Sequence, residues 1–157
     1  MSKLPDIGDV IGPLLARLPG DRQPLLVAIA ERLAAERYRG WAALPDLADE
    51  HETLIACALR EEQIAANVEA LYRDVDALTR EILAKLPELE AVNRGLFADR
   101  PLRDQLTIQA RGERLGAATW RAFAVDANEV SKESFEACAP LEERSAAALE
   151  KILKRLR

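Results

Sequence analysis

Histidine, cysteine and long apolar runs are scarce in this chain, and each shortage closes off a class of protein. The single histidine, His51, leaves no second imidazole for acid–base work, and Cys57 and Cys138 stand in no Cys-x-x-Cys or Cys/His metal spacing. In a reducing compartment such thiols behave as small buried apolar residues, with a redox pair as the alternative. No apolar run approaches the ~18–20 residues of a membrane span, so no membrane association is expected. Val, Ile and Thr number 19 against 28 Ala and 24 Leu, which excludes an all-β fold and favours helix. Basic side chains are outnumbered 22 to 27, and the net charge of -5 repels a phosphate backbone, so nucleic acid is not an expected partner. Neither a glycine-rich phosphate loop nor a Gly-x-Ser-x-Gly elbow occurs. The start of the chain has neither the apolar stretch of a secretory signal nor the Arg/Ser-rich bias of a transit peptide, which makes the cytoplasm the expected location.

What is present reads as one all-α domain of 157 residues. Residues 1–20 form an N-terminal arm in which Ile7, Val10, Ile11, Leu14, Leu15 and Leu18 keep helical spacing around a Gly12-Pro13 break. The arm is too short for a core of its own. Its apolar face is a candidate for covering the remainder or joining a neighbouring subunit, and a homo-oligomer is expected. Asp21 is placed to cap a helix running to Leu44, with Pro24 in its first turn. Pro45-Asp46 then turns the chain into a second, antiparallel helix from Leu47, with a break expected between Arg73 and Leu78. This first hairpin spans about 22–76. A crossover over 77–100 contains a short helix closed by Gly95, and a second hairpin over 101–157 comprises helices at about 102–124 and 128–156, the latter kinked at Pro140.

The two hairpins match each other. Glu31 to Ala42, ERLAAERYRGWA, lies 82 residues before ERLGAATWRAFA, with six of twelve positions identical and aromatics paired at Tyr38/Trp120 and Trp41/Phe123. Ala56 to Glu69, ACALREEQIAANVE, lies 81 residues before ACAPLEERSAAALE with eight of fourteen identical, including both cysteines and a Glu-Glu pair. Alanines supply four of those eight identities and weigh little; the cysteines and aromatics weigh more. An internal duplication into a four-helix bundle follows.

Each half carries one glutamate on the apolar stripe of each helix: Glu31 and Glu61, then Glu113 and Glu142. A carboxylate in a low-dielectric interior costs several kcal/mol unless a cation, a proton or hydrogen bonds compensate it. Either a divalent metal pair supplies that compensation, or rotation of the helices brings the acids to the rim, where Arg32, Arg60, Arg114 and Arg121 are within reach.

On these residues the sequence resembles the ferritin-like superfamily, of the rubrerythrin and bacterioferritin type, whose motif is Glu-x6-Tyr followed by Glu-x-x-His, stated twice. Glu31-x6-Tyr38 fits the first element, Glu113-x6-Trp120 fits its copy with an aromatic exchange, and Glu61-Glu62 and Glu142-Glu143 fall where the Glu-x-x-His elements belong. Both histidines are absent: Ile64 and Ser145 occupy the positions counted from the first acid of each pair, Ala65 and Ala146 those counted from the second. The resemblance implies Glu31, Glu61, Glu113 and Glu142 as metal ligands or their vestiges, Glu62 and Glu143 as alternatives, and Tyr38 and Trp120 as the aromatics behind them. Any cofactor would be a divalent pair, manganese or iron, the all-carboxylate set suiting harder ions. Two functions are expected on this basis. One is a bundle with a lost or altered metal site acting as an oligomeric scaffold or binding module, favoured by the missing histidines; the other is a metal-dependent oxidoreductase or metal-handling protein.

Overall fold

The computed structural model describes residues 3–156, which are all-helical, with no strand among them. Seven α-helices follow one another: α1 (Ile7–Leu15), α2 (Gln23–Ala42), α3 (His51–Glu69), α4 (Val75–Lys85), α5 (Leu89–Gly95), α6 (Leu102–Val125) and α7 (Glu129–Arg155). None is long and apolar enough to cross a membrane. The stretch Pro45–Glu50 is a 3-10 turn, so the helix expected from Leu47 begins at His51 instead. Leu47 is nevertheless fully buried, which explains why it fits the apolar stripe without belonging to the helix. Asp21 does not cap α2; its carboxylate takes a bond from the Arg22 side chain, and Pro24 fills the first turn where a donor would go unpaired in any case. The break after the second long helix falls at residues 70–74, and α7 continues through Pro140, capped at its start by Asn128, whose side chain accepts from Ser131 N–H.

Two helix pairs make up most of the fold. α2 packs along α3, α6 along α7, and the pairs meet through α3 and α7. Arginine–glutamate pairs lace each at matching places. Arg32 bonds Glu69 at 2.8 Å and Arg39 bonds Glu62 at 2.7 Å in the first pair; Arg114 bonds Glu150 at 2.9 Å and Arg121 bonds Glu143 in the second. In both pairs the rising number on one helix meets a falling number on the other, so both are antiparallel. These exposed bridges fix register more than they stabilise, at about 0–1 kcal/mol each.

The buried apolar side chains form two clusters. One contains Leu25, Leu26, Ile64, Val68, Trp120 and Phe135, and the other Tyr38, Trp41, Leu54, Leu106, Leu149 and Ile152. Along every long helix the boundary between clusters falls at a glutamate: Glu31, Glu61, Glu113 and Glu142. The arm is built into this core. Ile11 and Leu14 of α1 are buried, and α1 lies against α5 and α6, so its apolar face is used within the chain. Close approach depends on small residues, since a methyl at Gly112 would overlap Ile7 and one at Gly8 would sit 2.8 Å from Leu115 Cδ2. Arg17, just beyond α1, ties it down by bonding Glu88 and donating to the Lys85 carbonyl at 2.9 Å.

Candidate functional site

All four glutamates face inward, with exposures of 8% for Glu31, 0% for Glu61, and 1% for Glu113 and Glu142. One carboxylate oxygen from each of Glu31, Glu61 and Glu142 lies within 4.8 Å of the others. No donor group reaches either oxygen of Glu61 or Oε2 of Glu113; the acids instead lie within hydrogen-bonding reach of one another, Glu61 beside Glu31, and Glu142 beside Glu31 and Glu113. The arginines within reach on the sequence are engaged elsewhere: Arg32, Arg114 and Arg121 in the surface bridges above, and Arg60 with Ser145 Oγ at 3.0 Å and Cys57 Sγ at 3.2 Å. Glu62 and Glu143 are also in those bridges, partly exposed, and so stand outside the cluster. The places of the two absent histidines hold Ile64, packed in the first apolar cluster, and the buried Ser145 that accepts from Arg60. His51 is exposed; its Nδ1 lies 2.8 Å from the Ala42 carbonyl and donates to it.

Two of the acids are held by aromatics from a neighbouring helix. Tyr38 Oη donates to Glu113 Oε1 at 2.6 Å, and Trp120 Nε1 donates to Glu142 Oε1 at 2.9 Å. Although Tyr38 and Trp120 match in the repeat, Tyr38 reaches across to the other helix pair while Trp120 stays within its own. Behind them stands a polar group that periodicity alone does not single out. Gln109 Nε2 donates to Glu113 Oε1 at 2.7 Å, while its Oε1 accepts from Arg37, which also donates to Asn93 Oδ1 at 2.9 Å and stacks on Phe97. The only sequence signal for Gln109 is its place one turn before Glu113, where its side chain lies on the same face.

Burial pushes the carboxyls of Glu31, Glu61 and Glu142 upward, well above the usual range for Glu61 and Glu142, and repulsion by the Glu113 carboxylate adds to it in each. Burial likewise lowers the Arg37 guanidinium to about 10, which leaves it cationic at neutral pH. Both thiols are free and buried, Cys57 in one apolar cluster and Cys138 in the other, and burial pushes them up, Cys138 to about 12. They stay protonated at neutral pH and are poor nucleophiles. The chain matches no family model, no curated protein and no solved structure.

Among the described residues the arrangement therefore offers only oxygen ligands, four buried acids with the half-buried Arg37 as the cation beside them. Replacing Tyr38 by phenylalanine leaves Glu113 with Gln109 alone. Urea denaturation should show a loss of about 1–3 kcal/mol, the usual cost of stripping a buried acceptor of a donor.

Proposed function

We propose that this chain is a ferritin-like four-helix bundle, built by duplication of a helical hairpin, whose carboxylates hold a divalent metal as the working centre of a metal-dependent oxidoreductase or metal-handling protein. The duplication is supported by the repeat and by the equivalence of the Arg32–Glu69 and Arg39–Glu62 bridges to Arg114–Glu150 and Arg121–Glu143, each displaced by the same 81 or 82 residues. The observation that carries the metal is Glu61: a fully buried carboxylate that no donor group reaches, beside the oxygens of Glu31 and Glu142. Such a group is tolerated only when a proton or a cation compensates it.

The donor set fits a hard cation. Glu31, Glu61 and Glu142 form the inner set; Glu113, whose Oε1 is taken by Tyr38 and Gln109, stands outside the three whose oxygens lie within 4.8 Å of one another. With no imidazole or thiolate aimed in, manganese is favoured over softer ions, and iron is the competitor. A bound manganese or iron would supply Lewis acidity and one-electron redox capacity. The chain's own residues fix the acids: Trp120 orients Glu142, Tyr38 and Gln109 orient Glu113, and Arg37 holds Gln109 in place. The scaffold reading rests on the absent histidines, yet four buried acids cost a metal-free bundle stability, and all four are present.

Purification without chelator or affinity metal, followed by elemental analysis and calorimetric titration with Mn2+, tests this. Stoichiometric manganese or iron, abolished by Glu31→Ala, is the expected result; a metal-free protein that takes up neither ion rejects it. A subtler check lies at Gly116, where an added methyl would sit 2.7–2.9 Å from the Glu142 carboxylate. Gly116→Ala should leave the helices intact by circular dichroism yet weaken Mn2+ binding roughly 10- to 100-fold, as expected when a ligand's support is disturbed.

A further inference from the structure

Beside the carboxylates lies a cavity of about 250 Å3, bounded by α1, α2 and α6. Ile11 and Leu15 roof it, Val27, Ala30 and Ala34 line one wall, and Leu115 lines the other; Glu31, Glu113 and Glu142 border it, with Arg37 beside them. An apolar pocket with a few convergent polar groups is the usual form of a small-molecule site. It exists because α1 spans the carboxylate level rather than leaving it open, and because Gly116 brings no side chain in beside Glu142.

We propose that this cavity is the substrate pocket of the carboxylate centre and takes a small neutral alcohol or phenol, its apolar body beneath α1 and its hydroxyl donating to the Glu31 carboxylate. The assignment as a substrate pocket rests on the metal reading above; the binding chemistry rests on the cavity. An apolar cavity of ~150 Å3 holds benzene, so this one accommodates a molecule of on the order of eight to ten non-hydrogen atoms. Its polar end is defined by what the surroundings lack. Of the three acids that border it, Glu31 alone keeps accessible surface, 8% against 1% for Glu113 and Glu142, and no arginine, amide or hydroxyl among the described residues donates to it. An ammonium head would compete with the metal for the carboxylates, and a carboxylate head would enter beside three acids with only Arg37 to meet it, itself bonded to Gln109 and Asn93. A neutral hydroxyl supplies the missing donor without either conflict.

Benzyl alcohol, toluene and benzoate serve as probes, titrated by calorimetry and NMR into chelator-treated and Mn2+-treated protein. Benzyl alcohol should bind both preparations. Toluene, lacking the donor, should bind roughly tenfold more weakly, the usual effect of one net hydrogen bond, and benzoate should not bind the chelator-treated protein. Ala34→Leu and, nearer the surface, Ala30→Leu fill the cavity from α2; each should weaken benzyl alcohol at least tenfold while manganese content and the circular dichroism spectrum stay unchanged. Failure of benzyl alcohol to bind either preparation overturns the proposal, as does binding undiminished in both folded variants. Alcohol binding by a protein that takes up no metal keeps the cavity as a ligand site and rejects the metal centre. Manganese uptake without alcohol binding keeps the centre and rejects the pocket.

Discussion

Glu61→Leu should make the metal-free protein more stable, by about 1–4 kcal/mol in urea denaturation with chelator present, and should at the same time abolish stabilisation by Mn2+. Glu61 is fully buried on α3 with neither oxygen reached by a donor group, between apolar clusters that would accept a leucine of similar size. Replacing buried ion pairs by well-packed apolar residues is often neutral or stabilising by up to that amount, and a buried acid that no donor reaches, even when protonated, carries a desolvation cost that a leucine does not. For a chain of this length each kcal/mol moves Tm by roughly 2–4 °C. In the native protein a metal bound only to the folded state adds RT ln(1 + [L]/Kd), about 2.7 kcal/mol at 100 times Kd, and the variant forfeits this. A large destabilisation of the metal-free variant would mean that Glu61 is held by interactions of its own, and the case for a cation would fall with it.

The metal-free and metal-loaded proteins should respond to pH with opposite sign. In the metal-free fold the carboxyls of Glu31, Glu61 and Glu142 are raised by burial above their ordinary value of 4.5. Between 4.5 and their raised values the folded chain therefore holds more protons than the unfolded chain. Their contribution to stability is complete below the unfolded value and is lost as pH rises through the folded ones, at about 1.4 kcal/mol per pH unit for each proton retained. Metal requires the deprotonated acids, so its binding expels those protons and strengthens as pH rises. Denaturation midpoints measured from pH 5 to pH 8 should fall in chelator and rise in excess Mn2+. Comparison with Glu61→Gln subtracts the surface bridges, which both proteins share. Parallel curves with and without manganese would contradict the account.

The reach of the sequence is clearest at the acids themselves. Glu31, Glu61, Glu113 and Glu142 could be selected because the apolar stripe and the repeat agree on them, and in the structure all four are buried at the boundary between the two core clusters. What periodicity does not reveal is the choice of neighbour. Arg32 and Arg114 look equally able to neutralise the acids or to bridge the surface, and only packing sends them to Glu69 and Glu150. Arg37, Asn93 and Gln109 were equally hidden, since a polar residue beside a stripe reads as solvated until a third helix covers it. Part of that cover is α5, whose Asn93 meets Arg37 and which is held down in turn by α1, whose Gly8, Gly12 and Pro13 are poor helix formers. Burial of Ile11 and Leu14 overrides their preference, and small residues at the α1–α6 crossing, which weaken a helix in isolation, permit the contact. The 3-10 turn at Pro45–Glu50 was lost for a similar reason: Leu47 satisfies the helical stripe by being buried, not by being helical.

The most direct test is where manganese goes. Crystals grown with Mn2+ and measured at the manganese absorption edge should give an anomalous difference peak among the carboxylates of Glu31, Glu61 and Glu142, lost in crystals of Glu61→Ala grown the same way. A map with no peak there, while manganese is present in the crystal at millimolar concentration, would contradict the metal centre.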